Sequence, residues 1–301
     1  MMGLSSYLFG YSLDHGIYLL DLSSLLMGFG MGMANVTLNI LIARGTKEEF
    51  RRQFFSGLHS VYGIGSLSAP IVLNLFLANE SSWNIFFIYL AIIPLVMLII
   101  SLLSQSKYSH STIDKSRPKA KLIAPIGFFK RLSFGSVFGF YVASEIVVST
   151  RLVLYLNTSH KIPLDTARTT LSFFFLLLLL GRLLFTILPI KGASQRWLVF
   201  SCLSSMTIYI SSLIISPYML AFLGLTMSYF YPVAMDWLSK KFPMGFDFMS
   251  ASVLTIVSLS LVFMHLGFGY LSDFLGIEYA MGLVPLLQFI CLVLLLRLGK
   301  A

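Results

Sequence analysis

The feature that most constrains this chain is a series of apolar runs, each about 20 residues long, that recurs along its whole length. Such a run crosses a bilayer as an α-helix, because backbone groups in lipid must satisfy their own hydrogen bonds. The composition agrees, since 57% of the residues are hydrophobic and only 11% are charged. An ordinary soluble domain needs more charged residues to cover its surface. We therefore predict an all-α polytopic membrane protein.

The apolar runs predict about nine full transmembrane helices, preceded by a short N-terminal stub. Residues 2–13 form the stub, which is apolar but too short to cross a bilayer. A polar, basic stretch at 105–131 predicts a linker. The predicted domains are a partial N-terminal bundle (1–104), the linker, and a six-helix C-terminal bundle (132–301). The predicted spans are 20–43, 56–78, 83–104, 132–156, 166–189, 196–215, 217–239, 249–271 and 279–298.

The basic residues, which number 21 against 12 acidic ones, cluster in alternate connectors between the spans. Connectors rich in Lys and Arg face the cytoplasm. The intervening connectors hold only Lys161 and Arg168, so the 105–131 linker and the C-terminus are predicted to be cytoplasmic. The predicted location is the bacterial inner membrane. Because membrane topology accounts for the positive charge, no nucleic-acid partner is predicted.

Six stretches carry a resemblance to a known family through their order and spacing. The stretches are GFGMGMANVTLNILIAR (28–44), FFSGLHSVYGIGSLSAP (54–70), FYVASEIVVSTRLVLYL (140–156), LLLLGRLLF (177–185), FYPVAMDWLSKKFP (230–243) and FGYLSDFLG (268–276). They resemble the fourth, fifth, seventh, eighth, tenth and eleventh helices of the major facilitator superfamily, in its fucose–proton symporter-like branch. The resemblance implies a major-facilitator-like bundle in which residues 2–13 match part of the third helix, and the first two to three helices are lacking.

The resemblance also implies a function. We expect a secondary active transporter that moves a small polar solute by alternating access, with proton-coupled sugar transport as the candidate activity. The lack of the first helices leaves an alternative open, in which the chain is a truncated, transport-incompetent paralogue or one partner of a larger assembly. A membrane enzyme is not expected, because the sequence shows no cluster of catalytic groups. The expected partners are membrane lipid, a small-molecule solute and protons, and the oligomeric state is left open.

Glu145 is the strongest candidate for a functional group, because a carboxylate near the middle of a span is costly unless it is paired or hydrated. Tyr141, Glu145 and Ser149 share one helical face, and this polar stripe is predicted to line a cavity. A carboxylate in a cavity can bind a proton or accept hydrogen bonds from solute hydroxyls. The alternative is a structural ion pair with a neighbouring cation such as Arg151.

Two further stripes are candidates for the solute pathway. Asn35 and Asn39 lie on one face of the first full span, where their amides suit sugar hydroxyls. Packing of small residues, with the amides bonded between helices, is an equal alternative. His59 and Tyr62 form a stripe on the next span, and a histidine can change its charge near neutral pH.

Three charged residues are assigned to gating or cytoplasmic loops. Arg182, Asp236 and Asp273 follow or end apolar runs, and for Asp236 a salt bridge with a basic connector is expected. Cys202 and Cys291 lie inside apolar runs and are expected to be core or lipid-facing thiols. No cofactor and no metal site is predicted.

Overall fold

The computed structural model describes residues 2–77, 83–108, 126–188 and 191–299. Within these ranges the chain folds into helices and has no β-strand, which confirms the predicted all-α class. Most of the predicted linker, at 109–125, and the loop around Asn79 lie outside the described residues.

The predicted spans correspond to the long helical segments. Eight of these segments, among the residues searched, are long and apolar enough to cross a membrane. The 30-residue helix at Glu48–Leu77, whose side chains are described only in part, is not among the eight but covers the predicted span 56–78. The eight segments are Ile17–Gly45, Ile85–Leu103, Phe128–Thr158, Leu164–Ile187, Ser194–Ile214, Pro217–Lys241, Phe246–Leu275 and Ile277–Gly299.

The described chain divides into two compact units. The first takes its residues from 1–38 and 68–124, and the second from 39–67 and 125–301. The first unit contains α1 (Met2–His15), most of α2 (Ile17–Gly45), the end of α3 (Glu48–Leu77), α4 (Trp83–Leu90) and α5 (Ile92–Tyr108). The second contains the rest of α2 and α3, α6 (Phe128–Thr158), α7 (Leu164–Ile187), α8 (Ser194–Ile214), a 3-10 helix (Pro217–Phe222), α9 (Leu223–Met227), α10 (Phe230–Lys241), α11 (Phe246–Leu275), α12 (Ile277–Ala280) and α13 (Leu283–Gly299).

In the first unit, the N-terminal stub is a helix that packs against α4. The Ser6 hydroxyl donates to the Phe87 carbonyl at 2.7 Å, and the Phe9 ring meets the Phe87 ring edge-on at 4.6 Å. Ser5 donates in the same way to the Ser23 carbonyl of α2 at 2.6 Å. Small and hydroxyl residues thus hold these helices together, as is usual between membrane helices.

In the second unit, α6 is the central helix and packs closely on α11. A Cβ atom on Gly139 would overlap the Ser260 side chain, so glycine is what allows this approach. The outward surfaces of the unit are apolar, for example at Ile210 and Ile214 of α8. Such a surface suits lipid, which favours exposed apolar groups.

The span that corresponds to the predicted 217–239 helix is interrupted. A 3-10 helix leads into the short α9, and the chain turns at Ser228 and Tyr229 before α10 begins at Phe230. Pro232 explains the interruption, because proline has no backbone N–H for the carbonyl four residues earlier, at Ser228.

Candidate functional site

Glu145 lies near the middle of the 31-residue α6, where it forms an ion pair with Arg182 of α7. Glu145 Oε1 is 3.2 Å from Arg182 Nη2, and the two side chains are 14% and 6% exposed. Glu145 Oε2 accepts no hydrogen bond from the described residues. The guanidinium of Arg182 therefore compensates the charge of the carboxylate, and Oε2 stays available to another donor.

Arg182 holds two backbone carbonyls as well as Glu145. Its Nη1 donates to the His59 carbonyl of α3 at 3.3 Å, and its Nε donates to the Ser228 carbonyl at 3.2 Å. The Ser228 carbonyl is the group that Pro232 leaves without a backbone donor. Gly181 brings α7 close to this point, since a Cβ atom there would overlap the Ser228 side chain. Gly181 therefore lets α7 come close to the interrupted helix, and the Arg182 guanidinium bridges the two.

His59 and Tyr231 face each other beside this pair. Their rings meet edge-on with centroids 4.7 Å apart. His59 Nε2 and the Tyr231 hydroxyl are buried and have no hydrogen-bond partner among the described residues. Buried polar atoms normally find a partner in protein or water. These two atoms are accordingly suited to bind water or a polar solute.

The residues of the predicted stripe on α6 lie in different surroundings. Tyr141 is fully buried, stacks on the Phe230 ring at 3.5 Å and bonds through its hydroxyl to Ser201. Ser149 is half-buried and donates to the Ile146 carbonyl of its own helix at 3.2 Å. The structure thus places Tyr141 in the packed interior and leaves Glu145 as the member of the stripe with an available polar atom.

The asparagine and tyrosine candidates of α2 and α3 differ in burial. Asn39 is fully buried, whereas Asn35 is exposed on α2. Tyr62 of α3 is 62% exposed. Asn35 belongs to the first unit, whereas Asn39 and Tyr62 belong to the second. Their part in a solute pathway stays a prediction.

A second set of charged groups lies where α3, α8 and α10 meet. Asp236 is fully buried, and its Oδ2 atom accepts from Ser194 at 2.6 Å, from Lys240 at 3.0 Å and from Arg52 at 3.3 Å. Arg52 Nη2 also donates to the Gly192 carbonyl at 2.9 Å. We call Arg52, Ser194, Asp236 and Lys240 the Asp236 cluster. The end of the second unit at which it lies is called the basic side.

Two of the residues assigned to gating or cytoplasmic loops lie elsewhere. Arg182 is inside α7 and pairs with Glu145, because its side chain points between helices and not to the connector. Asp273 is exposed near the end of α11, and this helix begins at Phe246, just after the basic pair Lys240 and Lys241. Asp273 therefore lies at the end of α11 opposite the basic side, and its assigned role stays a prediction.

Sequence reasoning missed Arg182 as the partner of Glu145, whereas the salt bridge expected between Asp236 and a basic connector is confirmed, with Arg52 and Lys240 as the cations. Arg182 stands between apolar residues on both sides, in LLLLLGRLLFTIL, and this signal was available for an intramembrane cation. Arg52 and Ser194 are far from Asp236 in sequence, and no local pattern identifies them.

Cys202 and Cys291 are fully buried with their Sγ atoms 3.9 Å apart and form no disulfide. Over the described ranges, no three His, Cys, Asp or Glu side chains come together in a way that would hold a metal ion.

Comparisons with known proteins agree with this architecture. Two crystal structures match with a TM-score of 0.72: the transporter FucP of the Major Facilitator Superfamily in the outward conformation, and a variant of the E. coli fucose:proton symporter FucP. They are 16% and 15% identical to this chain, and each match covers 98% of this chain and 80% of the other, so the likeness concerns the fold. No curated protein sequence matches at a significant level. The family model of the Major Facilitator Superfamily matches residues 1–246. The chain is therefore an integral membrane protein that belongs to the Major Facilitator Superfamily of secondary transporters.

Proposed function

We propose that this protein carries a small polar solute across the membrane by alternating access and couples the movement to protons. Transporters of this architecture work by rocking one bundle of helices against the other around a site near the bilayer midplane. A sugar is the first candidate for the solute, because a structure with the same fold is named as a fucose:proton symporter.

The observation that carries the proposal is the Glu145–Arg182 pair. An ionisable residue inside a transmembrane helix is a candidate for a substrate or proton site. Glu145 lies near the middle of α6, is partly exposed, and keeps Oε2 without a donor among the described groups. It is therefore the group that we assign to proton binding.

The charges of the pair also bear on the solute. Glu145 and Arg182 compensate each other, so the pair gives no reason to expect a strongly charged solute. The unpartnered His59 Nε2 and Tyr231 hydroxyl offer neutral hydrogen-bonding groups. A polyhydroxyl compound satisfies such groups well.

A transport assay tests this function. We would reconstitute the purified protein in liposomes and measure uptake of radiolabelled fucose and other hexoses with and without an inward proton gradient. Wild type should show uptake stimulated by the gradient, and Glu145→Gln should lose the stimulation. Glu278→Gln is the matched control, because Glu278 is an exposed acid on α12. Stimulated uptake by Glu145→Gln would overturn the role of Glu145, and uptake of no hexose by wild type would overturn the sugar assignment.

The proposed orientation places the basic side in the cytoplasm of a bacterial cell, as the distribution of Lys and Arg predicts. Single cysteines at Ser116 in the linker and at Thr158, the exposed last residue of α6, would report it. An impermeant maleimide should label Thr158→Cys and spare Ser116→Cys in intact cells. The native thiols are buried and give a low background. The reverse pattern would show that the orientation is inverted.

A further inference from the structure

One guanidinium joins three helical elements of the second unit. Arg182 of α7 bonds to Glu145 of α6, to the His59 carbonyl of α3 and to the Ser228 carbonyl at the interruption between α9 and α10. Each contact uses a different nitrogen of the side chain. The fork of an arginine allows this, whereas the compact ammonium of a lysine does not.

The two carbonyls that Arg182 binds belong to α3 and to the interruption between α9 and α10. The Ser228 carbonyl has no backbone donor because of Pro232, so Arg182 completes the bonding of an interrupted helix. Around His59, α3 is bound to α7 by further contacts: Ser56 Oγ donates to the Arg182 carbonyl at 2.7 Å, and Ser60 Oγ is 3.5 Å from Thr186 Oγ1. Arg182 therefore lies where α3, α7 and the interrupted helix meet.

We propose that Arg182 is a positioning residue that links the charge of Glu145 to the contact between α3 and α7. The inference rests on the proposed proton-binding role of Glu145. When Glu145 takes up a proton, Arg182 becomes a buried cation without its counter-ion, and such a charge is strongly unfavourable. The guanidinium then gains by moving towards water, and this movement releases the His59 and Ser228 carbonyls. Separation of α3 from α7 follows, so protonation opens the second unit towards the basic side.

Other titratable groups near this point must be distinguished from Glu145. On α3 the group is His59, on α10 it is Tyr231, and on α6 it is Tyr141, which is turned to Ser201. The described part of α7 contributes Arg182 itself at this level. Among these types of side chain only an imidazole ordinarily changes its charge between about pH 5 and 8, so a control variant must separate His59 from Glu145.

The experiment is cysteine labelling at Ser60, which is 3% exposed in the contact between α3 and α7. The Ser60→Cys protein would be placed in vesicles with the basic side outward and treated with an impermeant maleimide. Because maleimide reacts with the thiolate, each labelling rate is divided by the rate of the denatured variant at the same pH. We expect this ratio to be about tenfold higher at about pH 5.5 than at about pH 8. The parent protein, whose two thiols are fully buried, gives the background. Labelling of each variant after denaturation gives the total amount of thiol that can react.

Four variants in the Ser60→Cys background identify the responsible groups. Glu145→Gln should label rapidly at both pH values, and Arg182→Gln should lose the pH step. Arg182→Lys should fail to restore the step, because one ammonium cannot reach the three acceptors. His59→Gln keeps the backbone carbonyl and should keep the step.

The outcomes separate this inference from the proposed function. A pH step that disappears in Glu145→Gln but persists in Arg182→Gln would overturn the role of Arg182 and leave proton binding at Glu145 standing. Full restoration by Arg182→Lys would also overturn it, because charge alone would then suffice. A step that is absent from the Ser60→Cys protein itself would overturn this inference alone. A step that is unchanged in Glu145→Gln or lost in His59→Gln would overturn both.

Discussion

The second unit contains two carboxylates that are paired with arginine, and they differ in their burial and in the number of donors that they receive. Asp236 is fully buried and receives three donors on one oxygen. Glu145 is 14% exposed and receives a single donor at 3.2 Å. The Asp236 cluster joins α3 to α8 and α10 at the basic side, whereas the Glu145–Arg182 pair lies within the span.

This difference indicates a division of labour. A carboxylate held by several charge-assisted bonds fixes the helices that it joins. A carboxylate with one donor and partial access to solvent can exchange a proton and release its partner. We infer that the Asp236 cluster holds one arrangement of helices together, and that Glu145 responds to protons. Substitutions at each site test this difference between the Asp236 cluster and the Glu145–Arg182 pair.

The largest loss of stability is expected at Asp236. Asp236→Asn leaves Arg52 and Lys240 without their buried counter-ion, at a cost of about 3–5 kcal/mol. Thermal unfolding of the purified protein in detergent, followed by loss of the monodisperse peak, would measure it. An unfolding temperature equal to that of wild type would show that the Asp236 cluster does not hold the helices together.

A smaller loss is expected at the central pair. Glu145→Gln should destabilise the protein by about 1–3 kcal/mol, because Arg182 loses its counter-ion but can move towards water. The double variant Glu145→Gln/Arg182→Gln should recover part of the loss, since it removes the uncompensated charge. The same unfolding assay applies. A loss at Glu145 larger than that at Asp236 would reverse the comparison.

The close approach of α7 to the interrupted helix can be tested at Gly181. Gly181→Ala adds a methyl group that overlaps Ser228, and overpacking of this kind costs about 1–3 kcal/mol. Gly267→Ala on α11 is the control, because a Cβ atom there meets nothing within 4 Å. Gly181→Ala should therefore unfold at a lower temperature and lose the pH step in Ser60→Cys labelling. Equal behaviour of the two variants would remove Gly181 from the account.

The smallest effect is expected at an exposed pair. Asp165 and Arg168 are 3.4 Å apart on the first turns of α7, and their side chains are 95% and 64% exposed. Surface ion pairs contribute little to stability. Asp165→Asn should leave both unfolding and proton-stimulated uptake unchanged. A measurable loss in either assay would show that this exposed ion pair contributes to stability or transport.

The sequence predicted the helices well because their signal is local. Length and hydropathy identify a span without reference to its neighbours, and the midspan position of Glu145 followed from the same pattern. Pro232 interrupts its span for a reason that is also local, since the missing N–H belongs to its own backbone. The stub at 2–13 is likewise a helix, which occupies Met2–His15.

The partners of these residues depend on tertiary packing and were not predicted. Periodicity placed Tyr141 on the face of Glu145, but only the position of α8 and α10 shows that Tyr141 is buried against Ser201 and Phe230. Arg182 was counted with the basic connectors because charge asymmetry treats each cation as a loop residue. The pairing of Arg52 with Asp236 joins helices that are distant in sequence, and hydropathy carries no information about it.

Difference infrared spectroscopy would show directly whether Glu145 takes up the proton, because it detects the protonated carboxyl group. Spectra of the purified protein would be recorded at about pH 5 and about pH 9 and subtracted. We expect the C=O stretching band of a protonated buried carboxyl in wild type and in Asp236→Asn, and its loss in Glu145→Gln. A band that persists in Glu145→Gln and disappears in Asp236→Asn would contradict the account.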